Sequence, residues 1–455
     1  MMKANVNKVV VGLLIAVLAV IPVLGACAKP APPAEPTAPE VQKPSVVKVG
    51  FMEDMTSIYA AIGKGHLAGL QAKLAQVNAA GGIDGVPLEL EWADCAQDAG
   101  LSVAAYKKFK RDGCLIIGAL STLHSNAVTG MATDDKISVV AFASGTDLYF
   151  PPTPYTWSYI GNHASWSICT LVPFYEMWKA QYGDKPFKLG IIFMDHPMVL
   201  PTIPCVEEWC RQNNVELVGV EKTPMMAVEY KTEVSRLRDK GADAILLGGN
   251  NRWPVVRDMG ELGMLPGLEV TQDTKEIIWH DGGVTPLGTT GESFAGGWQV
   301  AGEWAKYFIS NRFEYGVFAD TTGRPELAAL KEAEKETFGD LSPLYHAPFI
   351  WGWMWELVVD AAISQAVSEV GWENLNSATV SEKGLPNLTV DLRGLGPFPF
   401  STTDYPGDRS FINHFGLARM NESWGHTECF VPDEEWFNGD KYCWDHGIYE
   451  PLLER

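Results

Sequence analysis

With 455 residues, 46% of them apolar, the chain is long enough for two or three domains with sizeable cores, which excludes disorder as a whole-chain answer. A formal charge of −21 without any clustered Lys/Arg stripe argues against a nucleic-acid partner, because phosphate binding needs cations that displace counterions.

The first residues read as a targeting segment. Lys3 and Lys8 precede an apolar run, Val9 to Leu24, and Leu24-Gly25-Ala26-Cys27 makes a small-residue cleavage site ending in cysteine. That tetrapeptide resembles a bacterial lipobox, whose cysteine is diacylated and becomes the mature N-terminus; an ordinary secretory signal or a transmembrane anchor is the competing reading. Residues 28–45, rich in Pro and Ala, suit a semi-rigid tether. The expectation is a signal peptide over 1–27, lipidation at Cys27, and a globular head held at a membrane surface outside the cytoplasm. No other stretch is apolar enough to span a bilayer.

Val46 to Asp94 reads as a complete β-α-β unit. Val46–Met52 is a β-branched run of strand length. Leu67, Leu70, Leu74 and Val77 line one helix face, Gly81-Gly82 ends that helix, and Leu88–Trp92 is the next strand. The alternation continues through a helix over 100–112, a strand over 114–120, and a buried strand at 137–142. Strands alternating with helices imply a parallel sheet covered on both faces.

Pro151, Pro152 and Pro154 interrupt the pattern, and the chain is expected to cross there into a second lobe of the same kind. Strands are predicted at 187–193, 215–220, 242–247 and 276–279, the last ending in His280-Asp281. A crossing back is placed near Gly296–Val300 and a third near Leu395–Phe400, with the tail returning to the second lobe. The first lobe is thus expected over 46–160 and 300–394, and the second over 161–299 and 395–455.

Open parallel sheets bind ligands beyond the carboxyl ends of their strands. In the first lobe, Ser121-Thr122 and Ser144-Gly145-Thr146 follow two such ends. Hydroxyls beside free helix N–H groups suit a carboxylate, although each loop taken alone is as well explained by helix capping. Across the cleft Asp281 suits a ligand ammonium. Asn250, Met198, Phe349 and Trp351 complete the expected lining. Among the remaining tryptophans, Trp157, Trp253, Trp279 and Trp353 are each better explained by core packing.

Of the eight cysteines, Cys27 goes to the lipid, and Cys429 and Cys443, bracketing a short aromatic-rich loop, are the expected disulfide. Cys95 falls at a strand end and Cys114 at a strand start, expected at opposite edges of one sheet, which argues against their pairing. Gly63-Lys64-Gly65-His66-Leu67-Ala68-Gly69 approximates a dinucleotide fingerprint but lies too far past its strand. No P-loop, HExxH or GxSxG occurs, and His124, His163, His196 and His280 are scattered; each reads as a surface or satisfied loop histidine. No enzyme activity, cofactor or metal is expected.

Val46 to Asp94 resembles the leucine/isoleucine/valine-binding family of solute receptors for ABC importers. The likeness rests on Val49-Gly-Phe-Met-Glu-Asp-Met-Thr-Ser57, Asn78-Ala-Ala-Gly-Gly-Ile-Asp-Gly85 and Trp92-Ala-Asp-Cys95. It extends through Gly118–Thr122, Ala143–Asp147 and Gly241–Gly249. The resemblance implies an α/β type I periplasmic-binding fold: two lobes, each a mainly parallel sheet between helices, joined by three crossovers and closing on a solute. It implies carboxylate contacts from Ser121, Thr122, Ser144 and Thr146, with Asp281, one methylene shorter than the family's usual glutamate, on the ammonium. Ile62 and the loop Asp195-His196-Pro197-Met198 stand where amino-acid receptors of the family often carry tyrosine, so the side-chain pocket is expected to differ. The expected protein is a monomeric, lipid-anchored receptor that hands an amino acid or related carboxylate to an ABC permease. A sensor feeding a signalling partner is the alternative within the fold, and a secreted hydrolase or dehydrogenase the alternative outside it.

Overall fold

A computed structural model of the chain describes residues 42–142, 145–150, 153–225, 227–249, 252–265, 268–270, 277–279, 283–289, 298–312, 320–341, 345–396, 399–401, 409, 414–420, 427–429 and 437–453. The expected signal peptide and Cys27 lie outside these residues, as does most of the tether.

The first sheet contains β1 (Val47–Glu53), β2 (Leu88–Asp94), β3 (Ile116–Ala119), β4 (Ser138–Ala141) and β5 (Thr156–Ser158) in the order β2-β1-β3-β4-β5, all parallel. Between them run α1 (Ala60–Ala79), α2 (Ala99–Arg111) and α3 (Thr122–Asp135). Successive side chains of a strand point to opposite faces. Accordingly Val49 and Phe51 enter the core shared with α1, while Met52 enters the one shared with Tyr106, Phe109 and Val128 of α2 and α3.

The second sheet is built from β6 (Lys188–Met194), β7 (Glu216–Thr223) and β8 (Ala244–Gly248), alternating with α4 (His163–Tyr182), α5 (Ile203–Gln212), α6 (Lys231–Asp239) and α7 (Arg252–Glu261). Here the structure corrects the sequence reading. Strands β9 (Leu268–Val270) and β10 (Ile277–Trp279) form a separate antiparallel ribbon, and β11 (Thr285–Gly288) takes the place beside β8. Thr285-Pro286-Leu287-Gly288 carries neither the length nor the alternation of a strand, whereas Ile277-Ile278-Trp279 has the β-branched and aromatic composition of one. β12 (Ile309–Arg312) then pairs with β11, so the chain stays with the second sheet through Arg312 instead of crossing back near Gly296–Val300.

The chain returns to the first lobe as α8 (Pro325–Phe338) and α9 (His346–Val370), followed by α10 (Ser377–Thr379) and the small ribbon of β13 (Thr389–Val390) and β14 (Phe400–Ser401). The tail re-enters the second lobe. β15 (His414–Met420) lies antiparallel to β12, flanked by β16 (Thr427–Cys429) and β17 (Phe437–Asn438), while α11 (Gly439–Asp445) packs on α4 and α12 (Glu450–Leu453) on α5. Two mainly parallel sheets between helices, joined by three connections, are the expected two-lobed fold.

Two details fix the packing of the first lobe and of its connections. α9 lies against α1 with backbones nearly touching: a Cβ on Gly69 would overlap Phe349 O, and one on Gly352 would overlap His66 O. The first connection, past Ser158, turns at Gly161 with φ +88° and is tied to the third by Ser158 N donating to Arg409 O at 2.7 Å.

The expected Cys429–Cys443 bridge is absent. Cys443 is a free, buried thiol on α11, the helix whose Gly439 lies against the Cys169 sulfur on α4. Packing on α4 directs that helix face into the core. Cys95, Cys114, Cys169 and Cys210 are likewise free and buried, and Cys205 is buried.

Candidate ligand-binding cleft

Where strands of both lobes end, the chain gathers polar side chains that are buried. In the first lobe, Ser121 ends β3's loop as the N-cap of α3, its Oγ accepting from His124 N at 3.3 Å. Thr122 follows, 2% exposed, with no hydrogen-bond partner for its hydroxyl among the described residues. Gly145 sits between the lobes: a Cβ there would come within 2.7 Å of Thr122 Cγ2 and 3.2 Å of Pro197 O. Thr146 is spoken for, since its hydroxyl accepts from Ala164 N at 3.1 Å and lies 3.0 Å from Thr202 Oγ1. It joins β4's loop to the second lobe. Ser144, Asn250 and Asp281 lie outside the described residues.

Deeper on the same lobe, β1 ends in two buried acids. Burial raises the pKa of Glu53, and the neighbouring His66 partly offsets that rise. His66 Nδ1 lies 2.7 Å from Glu53 Oε1, and its Nε2 lies 2.9 Å from the Tyr159 hydroxyl on the first connection. Glu53 Oε2 has no partner among the described residues. Asp54 accepts from Gln97 N at 2.8 Å and from the Gln97 amide. His124 Nε2 stands 3.5 Å from Asp54 Oδ1, too far for a hydrogen bond, and neither of its ring nitrogens makes one. Phe142, just past β4, stacks at 4.3 Å on Trp351 of α9. Phe349 does not join it. It faces Phe338 and Trp353, and Trp353 donates to Glu326 at 2.7 Å on that side of the helix.

The second lobe contributes groups of the other sign. β8 and β6 end side by side, Gly248 against the Phe193 ring and Gly249 against Met194. Arg252 opens α7 immediately beyond and is 3% exposed; burial lowers its pKa to about 9, so it is cationic at neutral pH. His163 opens α4 with both ring nitrogens buried and without hydrogen bonds among the described residues. Burial first, then the charges of Arg252 and His196, pull it down to about 3, so the imidazole is neutral. In β6's loop, half-buried Met198 donates its N–H to His196 Nδ1 at 3.1 Å. β11, and not β10, supplies the carboxyl end beside β8, and the Thr289 hydroxyl that follows it is buried without a partner among the described residues.

Of the expected residues, Thr122 follows β3 at the start of α3, Met198 lies in the loop after β6 and Trp351 meets Phe142 just past β4, whereas Ser121 serves as a cap, Thr146 as an interlobe tie, and Phe349 packs in the helix layer. Trp157 packs under the Arg409 guanidinium at 4.5 Å and Trp253 against Phe308 at 5.1 Å, so both are core residues. Glu53, His66, His124, His163, Arg252 and Thr289 are missed by sequence reasoning. Glu53-Asp54 directly after an apolar strand was the available signal; the histidines and Arg252 carry none, because burial is not written in their neighbours.

Residues 46–306 match the profile of a family described as periplasmic binding protein. Solved structures of the same fold include a branched-chain amino acid ABC transporter protein from Thermus thermophilus with bound valine, at 13% identity and TM-score 0.70, covering 89% of this chain and 100% of that one. A fatty acid ABC transporter substrate-binding protein from Thermomonospora curvata matches at 18% identity and TM-score 0.67, over 88% of this chain and 95% of the other. A solute binding protein from Rhodopseudomonas palustris BisB5, in complex with 3,4-dihydroxy benzoic acid, matches at 16% and 0.64, over 86% and 99%. No curated protein matches the chain.

Proposed function

The chain belongs to the periplasmic binding protein family, and from that premise we propose that it is a lipid-anchored receptor outside the cytoplasm that captures a small organic carboxylate, an amino acid or a related acid, for an ABC importer. One observation carries this reading. Buried polar atoms without hydrogen-bond partners among the described residues (the Thr122 hydroxyl, the His124 ring nitrogens and Glu53 Oε2 on one lobe, the His163 ring nitrogens and the Thr289 hydroxyl on the other) collect where the strands of the two lobes end. A buried polar atom left unpaired costs roughly 1–3 kcal/mol, and a solute between the lobes offsets that cost. Thr122, Ser144, Asn250, Met198 and Trp351 are proposed contacts, with Asp281 reserved for an ammonium if the solute has one. The solutes named for the three similar structures, valine, a fatty acid and a dihydroxybenzoate, share a carboxylate.

In this reading residues 1–27 direct export, Cys27 carries the lipid and residues 28–45 tether a monomeric head that meets the permease. Thermal-shift titration of the purified full-length protein in detergent against amino acids, aromatic acids and aliphatic acids tests the capture, since a ligand of the native state raises the melting temperature by mass action. A melting temperature that no acid moves would count against it. Cys27→Ser tests the anchor: the variant leaves the membrane fraction, and one that stays there through lipid overturns the assignment.

A further inference from the structure

Among the described residues the two faces of the cleft differ in charge, and in the sense opposite to the family resemblance. On the first lobe the groups offered are uncharged or acidic. Ser121 is committed as a cap, the Thr146 hydroxyl as an interlobe tie, and Thr122, His124 and the Phe142–Trp351 stack stand beside Glu53 and Asp54. An anion set against two carboxyl groups is poorly placed. On the second lobe Arg252 is a buried guanidinium at the carboxyl end of β8, next to β6's end, whose loop reaches Gly145 and Thr122 through Pro197. A guanidinium presents a planar fork that matches a carboxylate in two parallel hydrogen bonds, whatever further bond it makes to protein.

We infer that the second lobe holds the solute's carboxylate through Arg252, with His163 beside it as a hydrogen-bonding neighbour, and that the solute is an organic acid with an uncharged, aromatic or apolar body lying toward Thr122 and Trp351. This rests on the solute-receptor reading above and assigns its polarity.

The test compares 4-hydroxybenzoate, octanoate and isovalerate with 4-hydroxybenzamide and L-leucine, on full-length protein in detergent, by thermal shift and calorimetry. The wild type binds at least one of the acids and binds the benzamide far more weakly than 4-hydroxybenzoate if the latter is bound. Arg252→Gln weakens acid binding at least about thirtyfold, whereas Thr122→Val weakens it only a few-fold and keeps the preference for acid. If Arg252→Gln does not fold, Arg252→Lys decides: the charge remains but the fork is gone, and a loss of at least about fivefold supports the inference. Acid binding within twofold of wild type in the folded Arg252 variant, or its abolition in Thr122→Val, overturns the inference and leaves the receptor reading standing. L-Leucine bound more tightly than every acid also overturns it. If none of the five compounds shifts the wild type, the carboxylate-receptor reading falls and the inference with it.

Discussion

Glu356 shows what a single buried group does to this molecule. It lies on α9 with both carboxyl oxygens buried and without hydrogen bonds among the described residues, and burial together with Asp360 one turn on raises its pKa well above the ordinary value. A raised folded pKa means that the native state binds more protons than the unfolded chain once the pH exceeds the unfolded value. The stability that this acid permits is therefore complete in acid and is lost as the pH rises toward the folded pKa. Glu356→Gln removes the titration, so its melting temperature exceeds that of wild type at pH 8 and the advantage shrinks at pH 4.5. Calorimetry at the two values checks this, and a constant difference would count against it. His163 acts in the opposite direction. Its pKa, pulled to about 3, leaves the unfolded chain binding the extra proton between about pH 6.5 and 3. Stability falls there by about 1.4 kcal/mol per pH unit as the medium becomes more acidic. In urea melts between pH 7 and 5 the loss is shallower in His163→Asn than in wild type.

Elements were legible in the sequence to the extent that composition and period agreed. β1, α1 and β2 follow directly from β-branched runs, a stripe at helical spacing and paired glycines, and the alternation holds through β8 except at β5, which the Pro-rich stretch disguised as part of the crossing. β11 was hidden because Pro286 and Gly288 disguise a short, wholly buried strand, while β10 has a strand's composition but pairs only with β9. The site was legible as a place, the carboxyl ends, and less so as chemistry. Ser121 and Thr146 carry the right residue types, yet structure commits both of them, and the charged group at the cleft, Arg252, lies in a helix start that sequence reads as unremarkable. Packing between α1 and α9 gives an element-scale prediction. Gly69→Ala drives a methyl into Phe349 O and must push α1 and α9 apart, costing roughly 1–3 kcal/mol or more. Gly130→Ala, at an exposed position of α3, meets nothing within 4 Å and stabilises by roughly 0.4–1 kcal/mol. Urea midpoints of the two variants move in opposite directions.

At the scale of the whole molecule, several contacts between the lobes among the described residues lie near the connections. Thr146 meets Thr202 and Ala164 N, Ser158 N meets Arg409 O, and Gly161 supplies the turn. Two lobes tied at their connections can rotate about them, and rotation of that kind is how bi-lobed binding proteins close on a solute. Small-angle scattering is therefore expected to give a smaller radius of gyration with saturating solute than without. Gly145 offers the control. A side chain there meets Thr122 Cγ2 at 2.7 Å and Pro197 O at 3.2 Å, so Gly145→Val acts as a wedge between the lobes without removing any group that touches the solute. The variant is expected to bind more weakly and to keep the larger radius at solute concentrations that close the wild type. A wild-type radius that does not change while calorimetry shows full occupancy would mean that solute enters a cleft already rigid, and Gly145→Val would then cost affinity with no change in shape.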